Sequence, residues 1–85
     1  MASATAVTVT ATSGTILAAN SSRAGYAIIN PPSSGQTVWV NIDGATATAA
    51  PPCIPIAQGD SFTWRGGGVV TAIAGGSVTI TVAEH

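Results

Sequence analysis

Charge is what this chain has least of. Of its 85 residues only Arg23, Asp43, Asp60, Arg65 and Glu84 carry charge at neutral pH, 6% of the total, and lysine is absent. A monomeric soluble domain normally charges about a quarter of its residues. Two arginines and a net charge of −1 cannot neutralise a run of phosphates, which excludes nucleic acid as a partner. Cys53 is the only cysteine, so an internal disulfide is impossible, and no Cys/His cluster offers a metal site. The single histidine is the last residue, His85. With no internal histidine and no lysine, neither an activated nucleophile nor a general base is at hand, so neither enzymatic activity nor a cofactor is expected. No stretch approaches the roughly 18 uninterrupted apolar residues of a membrane span. The opening Met-Ala-Ser-Ala-Thr-Ala has no basic or apolar leader pattern, and synthesis in a cytoplasm is expected.

What is present is apolar but dispersed. Hydrophobic residues make up 46% of the chain and the mean hydropathy is +0.46, yet they alternate with Thr, Ser, Gly and Pro. A domain of this size hides only about 60% of its unfolded surface, and ordering it costs roughly 1.5 kcal/mol per residue, close to what such a core returns. Small domains escape that balance with disulfides, metals or partner subunits. The first two are missing here, so a homo-oligomer is expected, with a surface covered by other protein.

Val, Ile and Thr recur with a period of two, and no segment sustains a helical period, so the fold is expected to be all-β. Val7 and Val9 alternate with Thr8 and Thr10, and Val78, Ile80 and Val82 with Ser77, Thr79 and Thr81. Gly25–Asn30 is apolar on both sides, as an inner strand would be. In Thr37–Ile42, Val38, Val40 and Ile42 face one way and Trp39 the other. Asp43-Gly44 and Gly75-Gly76 read as two-residue hairpin turns, the second joining Val69–Ala74 to Ser77–Ala83. Ala45–Ala50 reads as a weak edge strand or loop. Seven or eight short strands at this spacing predict one small β-sandwich or barrel over residues 1–85, with Greek-key or jelly-roll connections and a flexible N-terminal arm, residues 1–5.

Few side chains suggest chemistry. Asp43 and Asp60 each stand beside a turn glycine, where aspartate hydrogen-bonds nearby backbone. Cys53, in Pro-Pro-Cys-Ile-Pro, reads as a packing residue. Gly66-Gly67-Gly68 lacks the Lys-Ser/Thr of a phosphate loop and reads as a strand break. Tyr26, Trp39 and Trp64 offer rings for a sugar platform, against which Phe62 and Trp64 share one strand face, as core or interface aromatics do. Arg23 and Arg65 are each expected to pair with a carboxylate, within the subunit or across an interface. Trp39 leads the candidate contacts.

The order of several segments carries a resemblance. Ala18-Ala19-Asn20-Ser21-Ser22-Arg23, Ile28-Ile29-Asn30, Thr37-Val38-Trp39-Val40, Ile54-Pro55-Ile56-Ala57-Gln58-Gly59-Asp60-Ser61-Phe62-Thr63-Trp64, Ala72-Ile73-Ala74 and Ser77-Val78-Thr79-Ile80-Thr81-Val82 follow one another as in a group of small tailed-bacteriophage structural proteins, which this chain resembles over residues 12–84. The resemblance implies a virion protein, most naturally a capsid decoration (cement) protein, assembled in the host cytoplasm and bound as a trimer to the major capsid protein on the capsid surface. A glycan- or host-binding β module of a fibre, neck or tail protein is the alternative it leaves open. On this reading the candidate interface comprises Trp39, Arg23, Arg65 and Tyr26 with Ala2, Ser3 and Ala4 of the arm. No catalytic, cofactor or metal residue is implied.

Overall fold

The fold is given by a computed structural model, which describes residues 3–50 and 53–84. Eight strands form: β1 (Ser3–Val9), β2 (Gly14–Leu17), β3 (Gly25–Ile29), β4 (Val38–Asn41), β5 (Ile54–Ile56), β6 (Ser61–Arg65), β7 (Val70–Ala74) and β8 (Val78–Glu84). They build two four-stranded antiparallel sheets in the orders β1-β8-β3-β6 and β2-β7-β4-β5. Strands early and late in the chain lie side by side in both, the strand order of a jelly roll. Among the described residues there is no helix, as the period-two pattern requires.

The alternation sorts side chains as expected. Val78, Ile80 and Val82 of β8, Ile28 of β3 and Val9 of β1 point between the sheets and meet Val38 and Val40 of β4 and Val70 and Ala72 of β7, all buried. β3 is an inner strand, held by β8 on one side and β6 on the other.

Three expectations are corrected. Gly75-Gly76 is not a hairpin turn, because β7 and β8 belong to different sheets and the two glycines carry the chain from one layer to the other. Neither has the positive φ that a two-residue hairpin would impose. Asp43-Gly44 is no two-residue hairpin either. β4 does pair with β5, but through a connection that runs from Ile42 to Cys53. Gly44 has φ +78°, while Asp43 stays in the ordinary region, held by its N–H on Asn41 Oδ1 at 2.8 Å. Thirdly, residues 3–5 of the expected arm are strand, in register with Glu84, Ala83 and Val82 of β8, because an unpaired β8 would leave its outer N–H and C=O groups open. Residues 1 and 2 of that arm, Ala2 among them, lie outside the described residues.

The long β4–β5 connection folds back onto the outside of its own sheet. Thr71 Oγ1 donates to the Ala45 carbonyl at 2.6 Å, and Ser13 Oγ accepts from the Ala47 N–H at 2.8 Å. Ala47 and Cys53 are thereby buried.

Candidate functional site

Arg23 shows what the scarce charges are used for. It is 6% exposed, and its guanidinium donates from Nε to the Gly66 carbonyl (2.9 Å), from Nη2 to Gly68 (2.6 Å) and from Nη1 to Ala18 (3.2 Å). Glu84 Oε2 lies 3.8 Å from Nη1 and also accepts from Asn20 Nδ2 at 3.1 Å. The guanidinium carbon stands 5.2 Å from the centre of the Tyr26 ring, a cation–π contact. Burial pushes the Tyr26 phenol above its ordinary value, partly offset by the neighbouring Arg23 charge. Arg23 and Tyr26 are thus not free for a partner: one fills its donors with carbonyls of its own subunit and the other is core.

The glycine run complements this clamp. Asn20 N–H donates to the Gly67 carbonyl at 2.8 Å, and a Cβ at Gly67 would collide with the Asn20 carbonyl. At the other end of the sandwich Asn30, fully buried, donates through Nδ2 to the carbonyls of Gln36 and Ile56, both at 2.8 Å. These two polar residues tie the loops to the sheets without using any charge that faces solvent.

Cys53 is 6% exposed, its sulfur within hydrogen-bond reach of Thr48 N–H (3.4 Å), Thr48 Oγ1 (3.8 Å) and Asn41 Nδ2 (3.7 Å). Burial pushes the thiol up, but these contacts outweigh it and hold the group below its ordinary value. Among the described residues no three His, Cys, Asp or Glu side chains gather as metal ligands.

The aromatic side chains do not form one platform. Tyr26 is in the core. Trp39 is half-buried on the outer face of the β2-β7-β4-β5 sheet, between Pro55 and Ile73 in register. Trp64 sits on edge strand β6, 48% exposed and stacked on Phe62 with centroids 5.9 Å apart.

The outer face of the β1-β8-β3-β6 sheet is only half legible in the sequence. There, register aligns Ala4 with Ala83, Ala27 and Thr63, then Ala6 with Thr81, Ile29 and Ser61, then Thr8 with Thr79. Arg65, opposite Gly25, stands at one corner as the sole charge of this face among the described residues. Ala4 of the candidate contacts belongs to this face, as does Arg65. Ser3 is in β1, in register with Glu84. The Thr side of β1 and β8 was visible in the sequence, but its continuation across β3 and β6 needs the strand order.

No protein-family model and no curated protein matches the chain. A solved structure from work on Bacillus endospore appendages, described there as a family of disulfide-linked pili, is similar: 26% identity, TM-score 0.55, covering 99% of this chain and 84% of that one. The likeness extends along nearly the whole sandwich. It supports a small all-β structural protein and does not single out a phage capsid.

Proposed function

We propose that this chain is a structural subunit that works by docking on other protein, with no turnover. The observation that carries the reading is the outer face of the β1-β8-β3-β6 sheet, built from Ala, Thr, Ser, Gly and one Ile, with Arg65 alone at its corner. Small uncharged side chains let a second surface approach closely and cost little to desolvate. The face spans about four strands by five residues, on the order of 300–400 Å² per partner from strand spacing and rise. A single such contact buries roughly 600–800 Å² over both partners, below the roughly 1,200 Å² at which standard interfaces begin, so binding gains its strength from many subunits on one scaffold.

In its finer form the reading is a decoration protein on a bacteriophage head, as the order of sequence segments suggests. A second reading, a subunit of a surface appendage, is favoured by the similarity to the endospore pilus protein. That protein's pili are described as disulfide-linked. A disulfide-linked series needs two cysteines per subunit, whereas these 85 residues hold one, Cys53, which is buried. Assembly through this segment would therefore be non-covalent.

Thr81 is exposed between Ala6 and Ile29, so Thr81→Lys tests the face. At a dilution where both are monomeric the variant should melt within about 0.5 kcal/mol of the parent, as surface changes do, and on concentration it should fail to bind expanded capsids or itself. Undiminished assembly by Thr81→Lys would remove the face from the mechanism. Filaments of the parent in electron micrographs, with capsids left bare, would select the appendage over the head.

A further inference from the structure

The open edge of β6 borders the docking face, with which it shares Thr63 and Arg65, and adds an unpaired backbone and the Trp64 ring. Backbone bonds from Asn30 N–H to the Asp60 carbonyl and from Gly66 N–H to the Ala24 carbonyl bracket the β3–β6 ladder. Hydrogen-bonded and non-bonded pairs alternate along an antiparallel ladder, so Tyr26–Trp64 and Ile28–Phe62 are the bonded pairs between them. Ser61, Thr63 and Arg65 consequently turn their N–H and C=O groups away from β3. β6 is the last strand of its sheet, and among the described residues these groups meet no other strand.

Alongside this unpaired backbone lies an open cleft of about 390 Å³ lined by Thr63, Trp64 and Arg65. Its ring, Trp64, is 48% exposed and is backed by the stacked Phe62. Edge strands are commonly blunted by a charge, and Arg65 alone would fit that role. A half-exposed indole in the same cleft does the opposite, since it gives an incoming chain apolar surface.

We propose that the β6 edge binds an extended, acidic peptide segment of a partner protein by strand addition, pairing with the main chain of Thr63 and Arg65 while a partner carboxylate meets the Arg65 guanidinium. Charge complementarity selects this occupant over a second copy. Arg23 is consumed inside the fold, which makes Arg65 the exposed arginine, and none of the edge strands β1, β2, β5 and β6 itself contains a carboxylate to meet it.

The test uses short capped Thr/Val peptides, one with a central aspartate and one with a central lysine, titrated into the ¹⁵N-labelled chain. The aspartate peptide should slow exchange of the Thr63 and Arg65 amides, leave the already paired Phe62 and Trp64 amides unchanged, and bind about tenfold more tightly than the lysine peptide. Arg65→Glu should reverse that preference. Thr63→Pro removes an amide that β3 does not use, so its spectrum should stay folded and binding should vanish. If Thr63→Pro unfolds the chain, Arg65→Glu still decides. Equal binding of both peptides, or no protection at Thr63 and Arg65, would overturn the proposal. So would protection of the Thr63 and Arg65 amides on concentrating the chain alone, which would assign the edge to a second copy, or a glycan that perturbs Trp64 without protecting the Thr63 amide.

Discussion

Arg23 was expected to meet a carboxylate, and it does lie 3.8 Å from Glu84, but three carbonyl oxygens take most of its donors. Those carbonyls come from residues 18, 66 and 68, brought together by tertiary structure, and carbonyl acceptors leave no mark in a sequence. Arg23→Ala should cost about 2–4 kcal/mol in denaturant unfolding, because it strands three partly buried carbonyl acceptors and the partly buried Glu84. Arg23→Lys should recover only part of this, since one ammonium cannot span three carbonyls. The buried Tyr26 and Cys53 give stability a pH signature. The Tyr26 phenol is raised, so its contribution is complete below its ordinary value of about 10 and is lost as pH climbs above that. The Cys53 thiol is lowered, so its contribution is present above its ordinary value of about 8.5 and fades as pH falls through the folded value. Unfolding midpoints should therefore rise on approaching pH 8.5 and fall beyond 10. Tyr26→Phe should flatten the alkaline fall and Cys53→Ser the rise. A profile unchanged by either substitution would contradict these environments.

Strand identity was largely readable at the level of elements because each strand's own alternation encodes it: Val78, Ile80 and Val82 inward, Thr79 and Thr81 outward. β2 and β5 were not singled out, being four and three residues long with little room for alternation. The connections were misread for a different reason. Asp43-Gly44 and Gly75-Gly76 have hairpin composition, but Gly75-Gly76 carries the chain from one sheet to the other, while Asp43-Gly44 only opens the connection from Ile42 to Cys53 before β5 pairs with β4, and neither the layer that follows nor the length of a connection is a local property. The candidate surface was split in the same way, with its Thr stripe legible and its lateral neighbours supplied only by β3 and β6. Gly66-Gly67-Gly68 was correctly read as a strand break, and the structure distinguishes its members. Gly67→Ala should destabilise by about 1–3 kcal/mol, because the new methyl meets the Asn20 carbonyl and must push the clamp apart. Gly68 has open space for a Cβ and no positive φ. Gly68→Ala should accordingly be neutral or stabilise by about 0.4–1 kcal/mol through the unfolded chain. Equal melting shifts for the two would show that the close approach at Gly67 does not matter.

At the scale of the molecule, the two sheets present unlike outer surfaces. One is the Ala/Thr face with Thr81 at its middle, and the other carries the row Pro55–Trp39–Ile73 beside its own covering loop. If docking between copies pairs these unlike faces, the contact is heterologous, and it closes into a ring such as a trimer or continues into a filament according to the rotation per subunit. If the Ala/Thr faces pair with each other, the contact is isologous and stops at a dimer. Mixing experiments separate the two geometries. For unlike pairing, Thr81→Lys and Trp39→Ala each fail to assemble alone, but together they form one intact junction and stop at a heterodimer, visible by light scattering. For like pairing, Trp39→Ala dimerises unaided and adding Thr81→Lys changes nothing. Salt supplies an independent check. Raising sodium chloride from about 0.1 to 1 M shortens the screening length from roughly 10 to 3 Å and removes most attraction between exposed charges. Neither face is held by ion pairs, so the assembly should persist across that range, whereas peptide capture through Arg65 should weaken. Assembly that dissolves in salt would mean that the few charges, and not the uncharged faces, hold the subunits together.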